Sequence, residues 1–171
     1  MKTILLRFRD LSIPDGETLR RHRAKIEEHG SVWWGWIMRQ RENFPEEFLA
    51  ELALGLESGP KKILLFNSGE GRLYPAVLAD VAAYPGGIRV QTPEVQKTPT
   101  YMSEAECPAW FQITEIESTP IGDAEPVILE FPTLTAPAEV DLGLKGRPIT
   151  NIDDFRLSTA TLWAVDVEGY E

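Results

Sequence analysis

The first forty residues alternate between apolar and polar positions in a way that predicts a strand followed by a helix. Residues 3–9, TILLRFR, predict the strand, and residues 17–29 carry apolar side chains at helical spacing. Asp15 stands where a helix N-cap is expected, and Gly30 is typical of a C-terminal stop. One stripe of the helix is formed by four residues at helical spacing: Leu19, His22, Ile26 and His29.

A second helix is predicted to begin near Pro45, a residue suited to the first turn. Glu46 and Glu47 follow it, where negative charge is favourable at the helix N-terminus. The buried face of this helix is predicted to contain Phe48, Leu49, Leu52, Ala53 and Leu56. The segment SGP at 58–60 ends the helix.

The remaining chain has the pattern of a β-rich region. Residues 61–67 and 72–83 predict a hairpin with its turn at 68–71, although Pro75 implies an edge strand, a bulge or a late strand start. The loop at 84–108 is long enough to indicate a functional segment. Further strands are predicted at 109–117, 126–131 and 158–167. The pattern predicts an α+β fold with a twisted or barrel-like sheet and two or three flanking helices.

Length and composition are those of one globular domain over residues 1–171. Of the 171 residues, 43% are hydrophobic and 26% charged, and no run reaches the roughly 18 apolar residues of a membrane helix. Arg7 and Arg9 interrupt the N-terminal apolar run too early for a signal peptide. Cys107 is the single cysteine, which excludes an internal disulfide. We expect a cytoplasmic protein without a membrane partner, a metal site or a cofactor.

Charge is distributed unevenly along the chain. The net charge is −10, yet residues 1–41 contain nine basic and five acidic side chains, a net of +4, which leaves −14 for the other 130 residues. Such a chain can present one basic face while its other surfaces repel nucleic acid. By itself, however, the pattern favours a solvated, charge-rich helix.

The segment HGSVWWGWIMRQ contains three of the five tryptophans. In a strand, Trp34 and Trp36 share one face and Trp33 takes the other. Indole rings stack on nucleobases, at about 1–3 kcal/mol per base, and the nearby Arg39 and Arg41 are suited to a phosphate. Packing in the core is an equally good interpretation of these tryptophans.

Two later segments offer further candidates for a binding site. Tyr101 and Trp110 bracket the end of the long loop and are candidates to complete an aromatic cage. Asn67 and Ser68 follow an apolar strand, and an amide side chain can donate to and accept from a base edge. Ordinary packing and ordinary turn chemistry are the competing interpretations.

The order of these pieces resembles the EVE domain, a member of the PUA-like group that includes the YTH and ASCH domains. The resemblance rests on KKILLFNSGEGRLYPAVLADVAAYPG followed by TYMSEAECPAWFQITEIEST. Phe66-Asn67-Ser68 takes the place of the aromatic-polar-Ser strand tip, Asp80 that of the acidic residue, Tyr101 that of a loop tyrosine, and AWFQI that of the W-[FY]-x-[VI] strand. The resemblance covers residues 60–118 well and the first 60 residues loosely. Asn67 stands where the family commonly has histidine, and VWWGW replaces a single Trp.

The resemblance implies a pocket for a modified base, flipped out of its strand or carried on a single strand, in a module often attached to an effector domain. The leading hypothesis is therefore a non-catalytic module that binds a modified nucleobase or nucleotide. The predicted ligand-binding residues are Trp33, Trp34, Trp36, Arg39, Asn67, Ser68, Tyr101 and Trp110. Arg41, Arg20 and Arg23 are additional phosphate candidates. Replacing Trp34 or Asn67 with alanine is expected to abolish binding.

Two alternatives stay open. An ASCH-like amidohydrolase acting on modified nucleosides would need a Lys/Thr/Glu-type set, for which Lys62 and Glu70 are candidates. A sensor domain for a small signalling molecule or a protein would use the tryptophans mainly as core. The end of the chain just after the strand LWAVDVEGYE is compatible with a domain excised from a longer protein.

Overall fold

A computed structural model describes residues 3–11, 13–121, 128–130 and 160–167. It confirms both predicted helices and the predicted strands, apart from positions 126–127, 131 and 158–159, which lie outside the described residues. The elements are β1 (Thr3–Phe8), α1 (Glu17–His29), β2 (Val32–Trp36), α2 (Glu46–Leu56), β3 (Lys61–Asn67), β4 (Arg72–Ala83), β5 (Ala109–Ile116), β6 (Ile128–Glu130) and β7 (Leu162–Val167).

The described strands form one mixed sheet in the order β2-β5-β4-β3-β1-β7-β6. Strands β1 and β3 are parallel, and the other pairs are antiparallel. The sheet is curled, and an indole from β2 at one edge hydrogen-bonds with Thr161, the residue before β7 near the other edge. The predicted α+β class is confirmed, with two α-helices in the described part of the chain.

Helix α1 begins differently from the sequence prediction. The carboxylate of Asp10, not that of Asp15, accepts hydrogen bonds from the backbone N–H groups of Gly16 and Thr18, each at 3.0 Å. Asp10 follows β1 directly, so its side chain reaches the first turn of the helix across the intervening turn. The predicted stop at Gly30 is confirmed, because Gly30 adopts φ 80° and donates to the carbonyl of Ile26 at 2.7 Å.

Strand β4 accommodates Pro75 in the interior of the sheet. Pro75 is buried opposite Leu64 of β3, while the pairing of β4 with β5 begins only at Ala76. The missing N–H is tolerated there, and the Pro75 carbonyl accepts a hydrogen bond from the Glu117 N–H at 2.9 Å. Register shifts follow between Val77 and Asp80. Strand β4 is therefore bulged, as one of the predicted alternatives had it, but the bulge follows Pro75, which itself lies where β4 is paired only with β3.

Two hydrophobic clusters lie on opposite faces of β2. The main cluster contains Trp34 and Trp36 with the apolar residues of both helices, and the smaller cluster contains Trp33, Met102, Cys107 and Trp110. The predicted alternation of the three tryptophans is confirmed. No helix in the described ranges is long and apolar enough to cross a membrane.

The long loop at 84–108 is fixed to the smaller cluster. The Trp33 indole N–H donates to Glu94 Oε2 at 2.8 Å, and the Trp110 indole N–H donates to the Val90 carbonyl at 3.0 Å. Val90 and Cys107 also form a backbone bridge that joins the two ends of the loop. The loop thereby carries Tyr101 to a fixed position beside β1 and α1.

Candidate functional site

A pocket of about 200 Å³ lies where the end of β1 faces β2 across the curled sheet. It is lined by β1, β2, the first turn of α1, the turn after β3, the long loop and Thr161. Five of the eight predicted ligand-binding residues line it: Trp34, Trp36, Arg39, Ser68 and Tyr101. They come from four segments of the chain, so the fold brings together most of what the sequence suggested.

One wall of the pocket is built around Trp34. The edge of the Phe8 ring meets Trp34 at a centroid distance of 5.3 Å, and both residues line the pocket. His22 of α1 stacks on Trp34 at 4.0 Å with an interplanar angle of 30°. Trp34 is thus held in one orientation by aromatic neighbours, which leaves a rigid indole beside the cavity.

The His22 imidazole is buried and uncharged. Its Nδ1 lies 2.7 Å from the Thr18 carbonyl, an acceptor, so Nδ1 carries the proton. Nε2 has no hydrogen-bond partner within the described part of the chain. Burial lowers the pKa of His22 to about 4, which outweighs the opposing effect of the Thr18 carbonyl. The support of the Trp34 wall is therefore neutral at physiological pH.

Tyr101 of the long loop is another aromatic residue of the lining. Burial raises the pKa of the Tyr101 hydroxyl to about 12, so the phenol is neutral. The guanidinium of Arg21 lies 5.8 Å from the centre of the Tyr101 ring, and the ring edge faces His22 at 6.0 Å. These contacts orient Tyr101 toward the cavity and the first turn of α1.

A buried polar network forms the floor of the pocket. The Trp36 indole N–H donates to Thr161 Oγ1 at 2.8 Å, and that hydroxyl donates to Glu42 Oε1 at 2.6 Å. Glu42 also accepts from the backbone N–H groups of Thr161 and Arg39, each at 3.0 Å. Sequence reasoning missed Glu42 and Thr161, because residues 119 positions apart carry no local pattern that links them.

The mouth of the pocket combines positive charge with exposed apolar side chains. Arg9 and Arg39 line the pocket and are exposed there, whereas Arg7 contributes to the lining from β1 and is half-buried. Leu11 and Ile37, which are 75% and 64% exposed, lie beside them. Sequence reasoning singled out Arg39 alone of these arginines, although the positive balance of residues 1–41 was a signal for Arg7 and Arg9.

The model of the Pua-like family matches residues 4–169. The chain belongs to the Pua-like family. This confirms the PUA-like resemblance drawn from the sequence. Neither a curated protein nor a solved structure matches the chain.

The other arginines considered for phosphate lie elsewhere in this Pua-like domain. Arg20 forms an ion pair with Glu17 on the exposed side of α1. Arg23 donates to the backbone carbonyl of Glu117 at the end of β5. Arg41 is exposed and does not line the pocket.

Three predicted site residues lie outside the pocket of the Pua-like domain. Trp33 and Trp110 are buried on the opposite face of β2 and β5, where their indole N–H groups hold the long loop. Asn67 Oδ1 accepts hydrogen bonds from the backbone N–H groups of Gly69 and Glu70 at 3.0 and 3.3 Å. The structure thus gives Asn67 the ordinary turn chemistry that competed with base recognition.

The residues considered for hydrolysis are not brought together. Lys62 lies at the start of β3, and Glu70 lies in the turn after its end, where Glu70 Oε2 accepts a hydrogen bond from the Tyr74 hydroxyl at 3.0 Å. Neither lines the pocket. Among the residues that the structure describes, no three His, Cys, Asp or Glu side chains are grouped to hold a metal ion.

Proposed function

We propose that this Pua-like domain is a non-catalytic, EVE-like module that binds a modified nucleobase in the pocket between β1 and β2. The observation that carries the proposal is the combination of a fixed aromatic wall, Trp34 with Phe8, and a cluster of arginines at the mouth. Aromatic faces bind flat rings by stacking, and guanidinium groups bind phosphate.

The size of the cavity favours a base rather than a whole nucleotide inside it. Sites for drug-sized ligands measure roughly 300–1,000 Å³, whereas this pocket has about 200 Å³. A base fills such a volume, and its sugar and phosphate then lie at the mouth. Arg9 and Arg39, which line the pocket and are exposed, are the proposed contacts for the phosphate.

The electrostatics of the lining favour an uncharged base. Tyr101 in the lining and His22 behind Trp34 are neutral, and the Glu42 carboxylate in the floor is taken up by hydrogen bonds from Thr161 and from the Arg39 N–H. A cationic base would be repelled by Arg9 and Arg39, whereas a neutral base attached to a phosphate is attracted as a whole.

The proposal predicts that arginines at the mouth contribute to nucleotide binding and that Arg41 does not. Nucleoside monophosphates with methylated bases, and short single-stranded oligonucleotides that contain them, are titrated against the protein while tryptophan fluorescence is followed. We expect Arg9→Ala and Arg39→Ala each to weaken binding about tenfold, equivalent to about 1.4 kcal/mol, through loss of a charge-assisted hydrogen bond.

Arg41→Ala is the matched control, since it removes an exposed arginine two residues from Arg39 without touching the pocket. Equal losses from Arg41→Ala and Arg39→Ala would contradict the proposed site. Absence of binding by the whole panel would contradict the function.

Trp34→Phe tests the stacking wall more cleanly than Trp34→Ala. Removing a buried indole altogether costs about 3–5 kcal/mol of stability, whereas phenylalanine retains an aromatic ring in the core. Asn67→Ala is now expected to loosen the turn at Gly69 rather than to remove a base contact.

A further inference from the structure

One backbone N–H at the pocket has an unusually weak acceptor. Strand β2 is at an edge of the sheet that the structure describes, and Gly35 lies opposite Trp110 of β5. The Gly35 N–H donates to the thioether Sδ of Met102 at 3.2 Å. Both Gly35 and Met102 line the pocket. A thioether is a poor acceptor, so this buried donor is satisfied less well than a backbone N–H normally is.

Two side-chain hydroxyls of the lining, those of Ser68 and Thr161, are bound to better acceptors. Ser68 Oγ donates to the Phe8 carbonyl at 3.3 Å, and Thr161 Oγ1 donates to the Glu42 carboxylate at 2.6 Å. A ligand that took either donor would have to break a bond to oxygen. Exchanging the Met102 sulfur for a ligand oxygen or nitrogen instead replaces a weak hydrogen bond with a normal one.

Resting on the proposed function, we propose that the Gly35 N–H is the specificity-determining donor of this pocket and that Met102 is its temporary acceptor. The ligand class follows: a base that presents an in-plane acceptor, a ring nitrogen or a carbonyl oxygen, on the edge that enters first. When that acceptor arrives, the Met102 thioether gives up the Gly35 N–H by a rotamer change, while the side chain stays packed against the cluster of Trp33, Cys107 and Trp110. Methionine is suited to this movement because its unbranched side chain adapts at low cost.

The position of the donor is fixed by the strand. Its neighbours Trp34 and Trp36 are both buried in the main cluster, so the peptide between them has little freedom. A Cβ at position 35 would lie 2.8 Å from Cys107 Sγ and 2.9 Å from the Trp110 ring, which shows how tightly the opposite face is packed. A donor held this rigidly discriminates strongly against a ligand that lacks the acceptor.

The test follows the Gly35 amide by ¹H–¹⁵N NMR during titration with purine nucleosides, adenosine and N6-methyladenosine, and with their 1-deaza, 3-deaza and 7-deaza analogues. We expect binding of a parent nucleoside to shift the Gly35 amide proton downfield. One deaza analogue should bind at least tenfold more weakly and leave that resonance in place. Met102→Leu should bind the parent as tightly as the unchanged protein or more tightly, since it removes the competing acceptor.

Met38→Leu is the control, because Met38 packs against the main cluster outside the pocket lining. If tryptophan fluorescence reports binding while the Gly35 amide stays in place and the three analogues bind equally, the inference is wrong and the proposed function stands. A tenfold loss in Met102→Leu without a loss in Met38→Leu also overturns it, since Met102 is then part of the pocket wall. If neither these nucleosides nor any nucleotide of the methylated panel binds, both proposals fail.

Discussion

His22 shows how one residue supports the candidate site without lining it. Its ring stacks on Trp34 at 4.0 Å, and its Nδ1–H is committed to the Thr18 carbonyl. This arrangement leaves the other ring nitrogen, Nε2, buried and without a hydrogen-bond partner in the described part of the chain. A proton on Nε2 would place a charge directly against the indole, in surroundings that cannot solvate it.

This burial predicts a loss of stability in mild acid. The pKa of His22 is about 4 in the folded protein and 6.5 ordinarily, so the unfolded chain binds more protons between those values. The stability that neutral His22 contributes is fully present above pH 6.5 and is lost as the pH falls toward 4. The total change in the free energy of unfolding is about 3 kcal/mol. Urea unfolding between pH 7.5 and 4 measures the dependence.

Two variants separate His22 from the other groups that titrate in acid. His22→Leu should flatten the dependence between pH 6.5 and 4, because leucine has no proton to gain. His29→Gln, at the exposed end of α1, should leave it unchanged. If His22→Leu and the unchanged protein lose stability in parallel, the imidazole is not the responsible group.

At the scale of elements, the long loop is held by two tryptophans that were predicted from the sequence to line the pocket. Trp33 and Trp110 lie on the paired strands β2 and β5. Their indole N–H groups donate to Glu94 and to the Val90 carbonyl of the loop. They act on the site indirectly, because the loop they hold carries Tyr101 and Met102 to it.

Trp33→Phe should therefore loosen the loop. Phenylalanine retains an aromatic ring in the smaller cluster but cannot donate to Glu94, and a hydrogen bond to a charged group is worth about 1.5–3 kcal/mol. We expect faster amide hydrogen exchange over residues 90–98 by mass spectrometry, with β3 and β4 unaffected.

Lys97→Ala is the control for Trp33→Phe. It removes the ion pair at 3.8 Å between Lys97 and Glu94 and leaves the indole bond in place. A half-exposed pair at this distance is worth about 0–1 kcal/mol, so exchange in the loop should hardly change. Equal acceleration by both substitutions would show that the charge on Glu94, rather than the indole bond, orders the loop.

Periodicity was sufficient to predict the elements but not the contacts between them. The spacing of Leu49, Leu52 and Leu56 defines a helix wherever the chain folds, and all three are buried as predicted. The alternation in VWWGW gave the faces of Trp33 and Trp34. Which face borders a cavity depends on how the sheet curls, and that is set by contacts across its whole width. Likewise, the local pattern pointed to Asp15 as the cap of α1, whereas the fold brings the more distant Asp10 to the first turn of the helix.

At the scale of the whole molecule, the negative charge limits how nucleic acid can approach. The net charge is −10, while the exposed arginines that line the pocket are Arg9 and Arg39. Binding should therefore depend on a few phosphate contacts at one place, with repulsion from the acidic remainder of the chain.

This balance predicts a shallow salt dependence. With phosphate contacts from Arg9 and Arg39 to a single strand, log K should fall with log[salt] with a slope of about −1.4, and Arg39→Ala should reduce the slope by about 0.7. Fluorescence anisotropy with a labelled oligonucleotide measures it, and unmodified duplex should not bind at about 0.15 M salt. A much steeper slope would mean that a broad basic surface takes part.

The network of Trp36, Thr161 and Glu42 also constrains when the pocket can exist during synthesis. Trp36 and Glu42 leave the ribosome more than a hundred residues before Thr161, whose hydroxyl and backbone N–H complete the floor. At roughly 5–20 residues per second, that interval lasts about six to 25 seconds. A growing chain therefore cannot complete the floor of the pocket until Thr161 has been made, and the binding proposed for this pocket can start only after that point.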